Sequence, residues 1–308
     1  MMRATYLASV AMVLLLAGCG GGGKVAAPTD GTLSQDMETG RDAVDLGRLS
    51  VAEGQYRAAG VRALARDDVA AIGDAGYNLA VVQLDENRPQ DALTTIASTR
   101  AALSVRGAQS DDTGLDLVQA GALYRLDRFD EAANSATSAA RASDPAIVEK
   151  AQLLSGIIAD ARGDRGTLDK VAAYFTQLPK TAAWSWLADA QEITARRLLA
   201  DGGNAQTAYQ DAMQAVAARQ THVEYRDMAR GLSVAARAAG QAGNASQAAA
   251  LYLRASQSAQ KEGDTQNADA WRKLAGTLNM PDPFASPAND STTQPKAAAT
   301  ATGAVTQK

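Results

Sequence analysis

The apolar residues between positions 33 and 279 recur with the period of amphipathic α-helices, and no stretch alternates as a half-exposed strand would. Short polar turns interrupt this pattern at intervals of 33 to 40 residues. A small or apolar residue follows each turn by five positions, and another follows one helical turn later. The chain is therefore predicted to be all-α and built from repeating helix pairs. The predicted turns are Gly54-Gln55-Tyr56, Asn87-Arg88-Pro89, Asp127-Arg128-Phe129, Gly163-Asp164-Arg165, Gly203-Asn204-Ala205 and Gly243-Asn244-Ala245.

A repeat of this length indicates a solenoid, in which each helix pair packs on the next. The residues resemble the tetratricopeptide repeat (TPR), a 34-residue unit with small residues where its two helices cross most closely. The resemblance implies a right-handed helical-repeat solenoid, and an ordinary alanine-rich helical bundle is the alternative. Residues 264–278 are predicted to form a C-terminal capping helix with Trp271, Leu274 and Leu278 on its buried face. The matching pairs of small residues are Gly47 with Ala59, Ala80 with Ala92, Ala120 with Ala132, and Ala236 with Ala248.

Three positions depart from the TPR pattern, because Arg66, Leu168 and Arg196 stand where the family has small residues. Several turn spacings also exceed 34 residues, which implies longer helices or longer turns. For the fifth repeat, the arginine leaves two explanations open: its helices are longer, or the register is shifted.

The N-terminal segment predicts export. A single cation, Arg3, precedes an apolar run of about 13 residues, which is shorter than the ~20 that span a bilayer. The run ends in Leu16-Ala17-Gly18-Cys19 and resembles a bacterial lipoprotein signal, which implies that Cys19 becomes a lipid-modified N-terminus. An ordinary cleaved signal is the alternative. The predicted segments are a signal peptide (1–18), a flexible tether (19–32), the repeat domain (33–279) and a disordered, proline-rich tail (280–308).

Charge and cysteine content narrow the choice of partners. After removal of residues 1–18, 29 basic residues face 34 acidic ones, so no basic footprint for nucleic acid or anionic lipid is expected. Cys19 is the only cysteine, so a disulfide within the chain is excluded and packing alone must stabilise the fold.

Candidate catalytic and metal-binding residues are sparse. His222 is the only histidine and is predicted to lie on a surface turn, without partners for a metal site. The pairs Asp67-Asp68 and Asp111-Asp112 are interpreted as helix caps. Trp184 and Trp186 are two residues apart on a predicted helix and so cannot share one stacking platform; one is expected in the core and the other partly exposed. Glu192 is an acid that a wall-cleaving enzyme could use, but its neighbours match no hydrolase motif. No enzymatic activity and no cofactor other than the lipid are therefore predicted.

TPR arrays bind protein segments through a groove lined by their first helices. The resemblance implies that the groove positions here are mainly apolar, with scattered Tyr and Arg, although each apolar residue could instead serve packing. Of the five polar residues with which one TPR subfamily grips a terminal carboxylate, only Asn78 matches. The predicted groove residues are Arg48, Tyr77, Val81, Leu84, Leu117, Tyr124, Ile157 and Arg237, with Val44, Val51, Gly121, Leu153 and Ser233 at further positions.

Together these features predict a protein-interaction scaffold, anchored to the outer membrane by lipid and facing the periplasm. Gly20 after Cys19 favours the outer membrane by resemblance, while the inner membrane and the cell surface stay open. Protein partners in the cell envelope are expected, with neither nucleic acid nor a small-molecule substrate. By resemblance, such lipoproteins serve envelope assembly, with a slight preference here for pilus or secretin biogenesis. The alternative is a peptidoglycan-remodelling enzyme or its direct activator.

Overall fold

A computed structural model describes residues 30–108 and 112–276, and every regular element within these ranges is an α-helix. The described residues form thirteen helices joined by short turns, which confirms the predicted all-α helical-repeat class. The helices are α1 (Gly31–Asp45), α2 (Leu49–Ala65), α3 (Val69–Asp85), α4 (Pro89–Ser104), α5 (Thr113–Arg125), α6 (Phe129–Ala139), α7 (Pro145–Arg162), α8 (Arg165–Thr176), α9 (Trp184–Ala200), α10 (Ala205–Thr221), α11 (Tyr225–Gln241), α12 (Ala245–Lys261) and α13 (Thr265–Ala275).

Aspartates are the N-cap residues of several of these helices. Asp68 accepts a hydrogen bond from the N–H of Ala71, and Asp112 accepts from those of Gly114 and Leu115. Such caps satisfy N–H groups that have no partner within the helix. The capping role predicted for Asp68 and Asp112 is therefore confirmed. It is wrong for Asp67, which adopts a φ of 56° in the turn and binds Arg106, and Asp111 lies outside the described residues.

The turn inside each repeat is marked by a residue in the left-handed conformation. The first of these residues is Gly47, with φ of 67°, so the turn predicted at residues 54–56 is wrong because those residues lie inside α2. The closest helix crossing of the first repeat consequently involves Gly40 and Ala52 rather than Gly47 and Ala59. Both are buried, as are their counterparts Ala80 and Ala92. The left-handed turn residues are Gly47, Asn87, Asp127, Gly163, Gly202 and Gly243.

The fifth repeat resolves the anomaly at Arg196. Its turn contains both Gly202, at φ of 63°, and Gly203, and so is one residue longer than the turn after α3. The extra residue shifts the register, and Ala195, which is fully buried, takes the close-crossing position. Arg196 stands next to it and enters an ion cluster described below.

Contacts divide the chain into two units, with the boundary between Leu154 and Ser155 inside α7. Unit 1 contains α1 to α6 and the first part of α7. One of its cores joins Ala80, Ala92 and Ile96 to Leu115, Val118 and Ala122. Side chains of α3, α4 and α5 thus form one continuous apolar layer.

Unit 2 contains the rest of α7 and helices α8 to α13. Its main core is rich in alanine, from Ala195 through Ala212 and Ala236 to Ala255. The predicted capping helix corresponds to α13, which packs on α12 with Ala268 and Ala275 buried and Trp271 partly buried. The predicted stripe was partly wrong, because Leu274 is 59% exposed. Leu278 lies outside the described residues.

The predicted signal peptide, Cys19 and the predicted tail all lie outside the described residues. Asp30 caps α1, which starts at Gly31, so the boundary predicted between tether and repeat domain at residue 32 falls inside the first turn of α1. None of the helices described is both long and apolar enough to cross a membrane.

Candidate functional site

A row of apolar and aromatic side chains runs along two first helices of unit 1. Tyr77, Val81 and Leu84 of α3 and Leu117 and Tyr124 of α5 are all half-buried. We call these five residues the α3/α5 face. The structure therefore brings five of the predicted groove residues together on adjacent helices.

Two glycines of α5 bring this row close together. An ideal Cβ at Gly114 would lie 3.2 Å from Cε2 of Tyr77, and one at Gly121 would lie 3.1 Å from Cδ2 of Leu84. Tyr77 and Leu84 of α3 therefore each pack one edge against a glycine of α5, and both side chains remain partly accessible. Tyr77, Val81 and Leu84 pack internally and remain half-exposed, so binding of a partner by these residues stays a prediction.

Carboxylates lie at one end of the α3/α5 face. An ideal Cβ at Gly114 would also lie 3.1 Å from Oδ1 of Asp112, so the Asp112 carboxylate and the Tyr77 ring meet over this glycine. Burial raises the pKa of Tyr77, and the charges of Asp112, Asp144 and Asp85 raise it further. The face is thus apolar along its length and has an acidic end where Asp112 caps α5, whereas Asp85 is the last residue of α3.

Asp74, on the first turns of α3, belongs to the same acidic end. It shares with Asp112 and Leu103 a cleft of about 400 Å³. Burial raises the pKa of Asp74, the charges of Asp112 and Asp68 add to this rise, and Arg41 opposes it. Negative charge therefore exceeds positive charge around Asp74 in the folded protein.

The corrected register moves the groove positions of the first repeat. Arg48 does not lie on a first helix, because it is the N-cap residue of α2. Val51 follows within α2 and is 45% exposed. Val44 does lie on α1, where it packs with Met37 against the core around Tyr56. Asn78, the one residue matching the carboxylate-binding pattern, donates from Nδ2 to the carbonyl of Asp74 in its own helix.

An apolar pocket of about 300 Å³ lies on the other side of α3, where α2 and α4 flank it. Two of its lining residues, Val61 and Leu64, are 64% and 45% exposed. These exposed apolar side chains belong to a second helix and so provide matched controls for the α3/α5 face.

The corresponding first helices of unit 2 carry charge instead of an apolar row. Glu192 of α9 is fully buried and contacts three arginines. Its Oε1 accepts from Nε of Arg196 and Nε of Arg230, each at 2.9 Å, and its Oε2 accepts from Nη1 of Arg219. One carboxylate therefore joins α9, α10 and α11.

Three further carboxylates balance these arginines. Asp189 binds Nη2 of Arg219 at 2.6 Å, and Asp227 binds Nη1 of Arg230 at 2.6 Å. On α7, Asp160 accepts from Nη1 of Arg196 at 2.6 Å and binds both terminal nitrogens of Arg237. We call this group the unit 2 ion cluster. Its four acids and four arginines carry no net formal charge: Asp160, Asp189, Glu192, Asp227, Arg196, Arg219, Arg230 and Arg237.

The arginines of the cluster favour the ionised forms of Glu192 and Asp160. Burial by itself would raise the pKa of Glu192, but the charges of Arg230, Arg219 and Arg196 outweigh it and hold the pKa well below its usual range. The pKa of Asp160 is lowered in the same way by Arg237 and Arg196. Its burial among three arginines and its lowered pKa favour the ionised form of Glu192, whereas a general acid needs the protonated form.

Two predicted groove residues of unit 2 are already engaged within the protein. Ile157 is 3% exposed and lies in the core, so it is not available to a partner. Arg237 is 35% exposed but holds Asp160 through two hydrogen bonds. The sequence did contain a signal for the cluster, since Glu192 and Arg196 are spaced i, i+4 on one helix.

His222 and the tryptophans are the remaining residues that the sequence singled out. His222 is exposed at the end of α10, as predicted, and its ring stacks on Trp184 with 3.6 Å between centroids. Trp184 and Trp186 are both half-buried, so the expectation that one lies in the core is wrong. The described residues contain no group of three His, Cys, Asp or Glu side chains placed to hold a metal ion.

No family model and no curated protein matches this sequence. A solved tetratricopeptide repeat protein from Parabacteroides merdae ATCC 43184 has 16% sequence identity and a TM-score of 0.49, covering 81% of this chain and 94% of that one. The TPR2AB domain of yeast Sti1, solved in a pHSP90 complex, has 12% identity and a TM-score of 0.32, with coverage of 79% and 96%. The helical-repeat assignment rests on the helix order and turns of this chain itself.

Proposed function

We propose that this protein is a lipid-anchored scaffold that binds protein partners on the α3/α5 face of unit 1. The observation that carries the proposal is the contrast between the two sets of first helices. In unit 1 the groove positions on α3 and α5 present half-buried apolar and aromatic side chains, whereas in unit 2 the predicted groove residue Arg237 belongs to the ion cluster and Ile157 lies in the core. Aromatic anchors in a partly desolvated row are typical of the energetic centre of protein interfaces.

The anchor is the second part of the proposal. We infer from the sequence that Cys19 carries lipid and that the protein is confined to the outer membrane, facing the periplasm. Two or more acyl chains give stable attachment, whereas one chain gives a binding constant of only about 10⁴ M⁻¹. Confinement raises the local concentration of the scaffold near a membrane-bound partner without any additional contact. Such a scaffold fits envelope assembly, including pilus or secretin biogenesis, and requires no catalytic step.

Affinity capture tests the binding face. The full-length protein and two double variants are captured from solubilised envelopes, and bound proteins are quantified by mass spectrometry. Tyr77→Ala with Tyr124→Ala should deplete specific partners by about tenfold or more, since interface aromatics commonly contribute over 1 kcal/mol each. Val61→Ala with Leu64→Ala removes more exposed apolar side chains from the pocket side and should leave capture unchanged. Equal depletion by both double variants would overturn the assignment of the face.

Metabolic labelling tests the anchor independently. Cells expressing the protein are fed an alkyne fatty acid, and the protein is then probed for the label and fractionated between membrane and soluble pools. The unmodified chain should be labelled and membrane-bound, and Cys19→Ser should be unlabelled. A labelled Cys19→Ser protein, or an unlabelled parent chain, contradicts the lipid anchor.

A further inference from the structure

We propose that the α3/α5 face binds an amphipathic segment that carries Lys or Arg at one end. Its apolar side chains lie on the row from Tyr77 to Tyr124, and its cations lie against Asp74 and Asp112. This inference rests on the proposed function and specifies the chemistry of the partner.

The charge of the chain supports a cationic partner for unit 1 in particular. Residues 30–154 contain 20 Asp and Glu against 12 Lys and Arg, whereas residues 155–276 contain 12 against 14. The acidic character is therefore confined to the unit that carries the apolar row. Complementary charge steers association and disfavours partners of the wrong sign.

Two arginines of unit 1 are committed to other carboxylates, and Arg41, whose charge acts on Asp74, forms no ion pair with it. Arg88 binds Glu53, Glu86 and Asp91, and Arg100 binds Asp116. Among the described residues, no cation forms an ion pair with the carboxylate of Asp74. The acidic end can therefore accept positive charge from outside the protein.

The carboxylates lie next to the apolar row rather than on a separate surface. Asp112 and the Tyr77 ring meet over Gly114, and Asp112 also borders the cleft that contains Asp74. From Asp74 to Leu84, α3 rises by about 15 Å, which is close to three helical turns. A helical segment of similar length can place apolar anchors at i, i+3 or i+4, and i+7 along the row. Its cations then fall at the end that meets the acids.

Two synthetic helical peptides serve as probes for this chemistry. Both have 14 residues, with Leu at i, i+3, i+4 and i+7 and Ala elsewhere, and one end carries either three Lys or three Glu. Binding to the full-length protein in non-ionic detergent is measured by fluorescence anisotropy at 50 and 150 mM NaCl. The Lys peptide should bind at least tenfold more tightly than the Glu peptide. Its affinity should fall as salt rises, because screening weakens exposed charge pairs.

Matched variants separate a local effect from the net charge of the protein. Asp74→Asn with Asp112→Asn should weaken the Lys peptide about tenfold, and asparagine at position 112 keeps its capacity to cap α5. Asp91→Asn with Asp130→Asn removes the same number of charges from second helices and should change affinity less than twofold. Equal weakening by both pairs, or equal affinity for both peptides, overturns the inference.

The inference and the proposed function fail in distinguishable ways. If Tyr124→Ala abolishes capture of an envelope partner while Asp74→Asn with Asp112→Asn leaves it intact, the cationic partner is wrong and the binding face stands. If Tyr124→Ala leaves both capture and Lys-peptide binding intact, the binding face itself is wrong. Circular dichroism of each variant confirms that a lost interaction does not reflect unfolding.

Discussion

Replacing Glu192 with glutamine should destabilise unit 2 severely. The substitution keeps the shape of the side chain but removes the negative charge that Arg196, Arg219 and Arg230 share. Arg219 is fully buried, so it cannot recover the lost interaction from water. Removing one partner from a buried ion pair typically costs about 3–5 kcal/mol, because the opposite charge is left desolvated. We expect a loss within this range and not above it, because each arginine keeps a second carboxylate: Asp160 for Arg196, Asp189 for Arg219 and Asp227 for Arg230.

The chain offers a matched control and a selective probe for this experiment. Asp169→Asn removes an ion pair with Arg197, also on α9, in which the two side chains are 53% and 42% exposed. Exposed pairs of this kind contribute about 0–1 kcal/mol. All three tryptophans, Trp184, Trp186 and Trp271, belong to unit 2. Tryptophan fluorescence during urea unfolding therefore reports on unit 2, while circular dichroism at 222 nm follows the whole chain.

The expected result is a fluorescence midpoint that falls sharply for Glu192→Gln and hardly moves for Asp169→Asn. A Glu192→Gln protein within about 1 kcal/mol of the parent would refute the reasoning that the buried charge of this carboxylate stabilises the cluster. Replacing the whole cluster by apolar residues is a different experiment, because well-packed apolar substitutes for buried ions are often neutral or stabilising.

Two further predictions concern unit 1. Gly40→Ala should destabilise the protein by about 1–3 kcal/mol in thermal melts, because its Cβ would lie 2.6 Å from the Tyr56 ring. Gly54→Ala, inside α2 with open space around it, should instead stabilise by about 0.5–1 kcal/mol. Hydrogen bonds from Arg88 lower the pKa of Glu53 to about 2 against the opposing effect of burial, so this carboxylate is stabilised when charged. Its contribution is complete above pH 4.5 and is lost as pH falls toward 2. Glu53→Gln should therefore lower the free energy of unfolding by about 1–2 kcal/mol at pH 7 and by little at pH 2. The value at pH 7 is discounted for solvent screening because the side chain of Arg88 is 38% exposed. Urea unfolding at both pH values measures the difference.

Much of the repeat architecture could be predicted from the sequence because its turn chemistry is local. Asn87 adopts the left-handed conformation and Pro89 occupies the first turn of α4, as this motif predicts. The first repeat was misplaced because glycine serves two purposes. Gly47 reads as a small residue at a helix crossing, but its actual role is to adopt positive φ in a turn. A sequence pattern alone does not separate these two reasons for a glycine.

The candidate site was predictable only in part, because it depends on contacts between residues that are far apart in the sequence. Tyr77 and Leu117 follow from their positions in the repeat, but the half-exposure of Tyr77 depends on Gly114 in another helix. The ion cluster was missed because the partners of Arg196 include Asp160, 36 residues away in the sequence. Local spacing reveals the pair of Glu192 with Arg196, and only the packing of four helices reveals the rest.

Site-specific photocrosslinking in cells tests the central claim most directly. A photoreactive phenylalanine analogue replaces Tyr124 on the α3/α5 face or, as a control, the 64% exposed Val61 on the pocket side. The account predicts a discrete crosslinked protein partner from position 124, weakened by Tyr77→Ala, and none from position 61. Crosslinks to the same partner from position 61 but not from position 124 would contradict it.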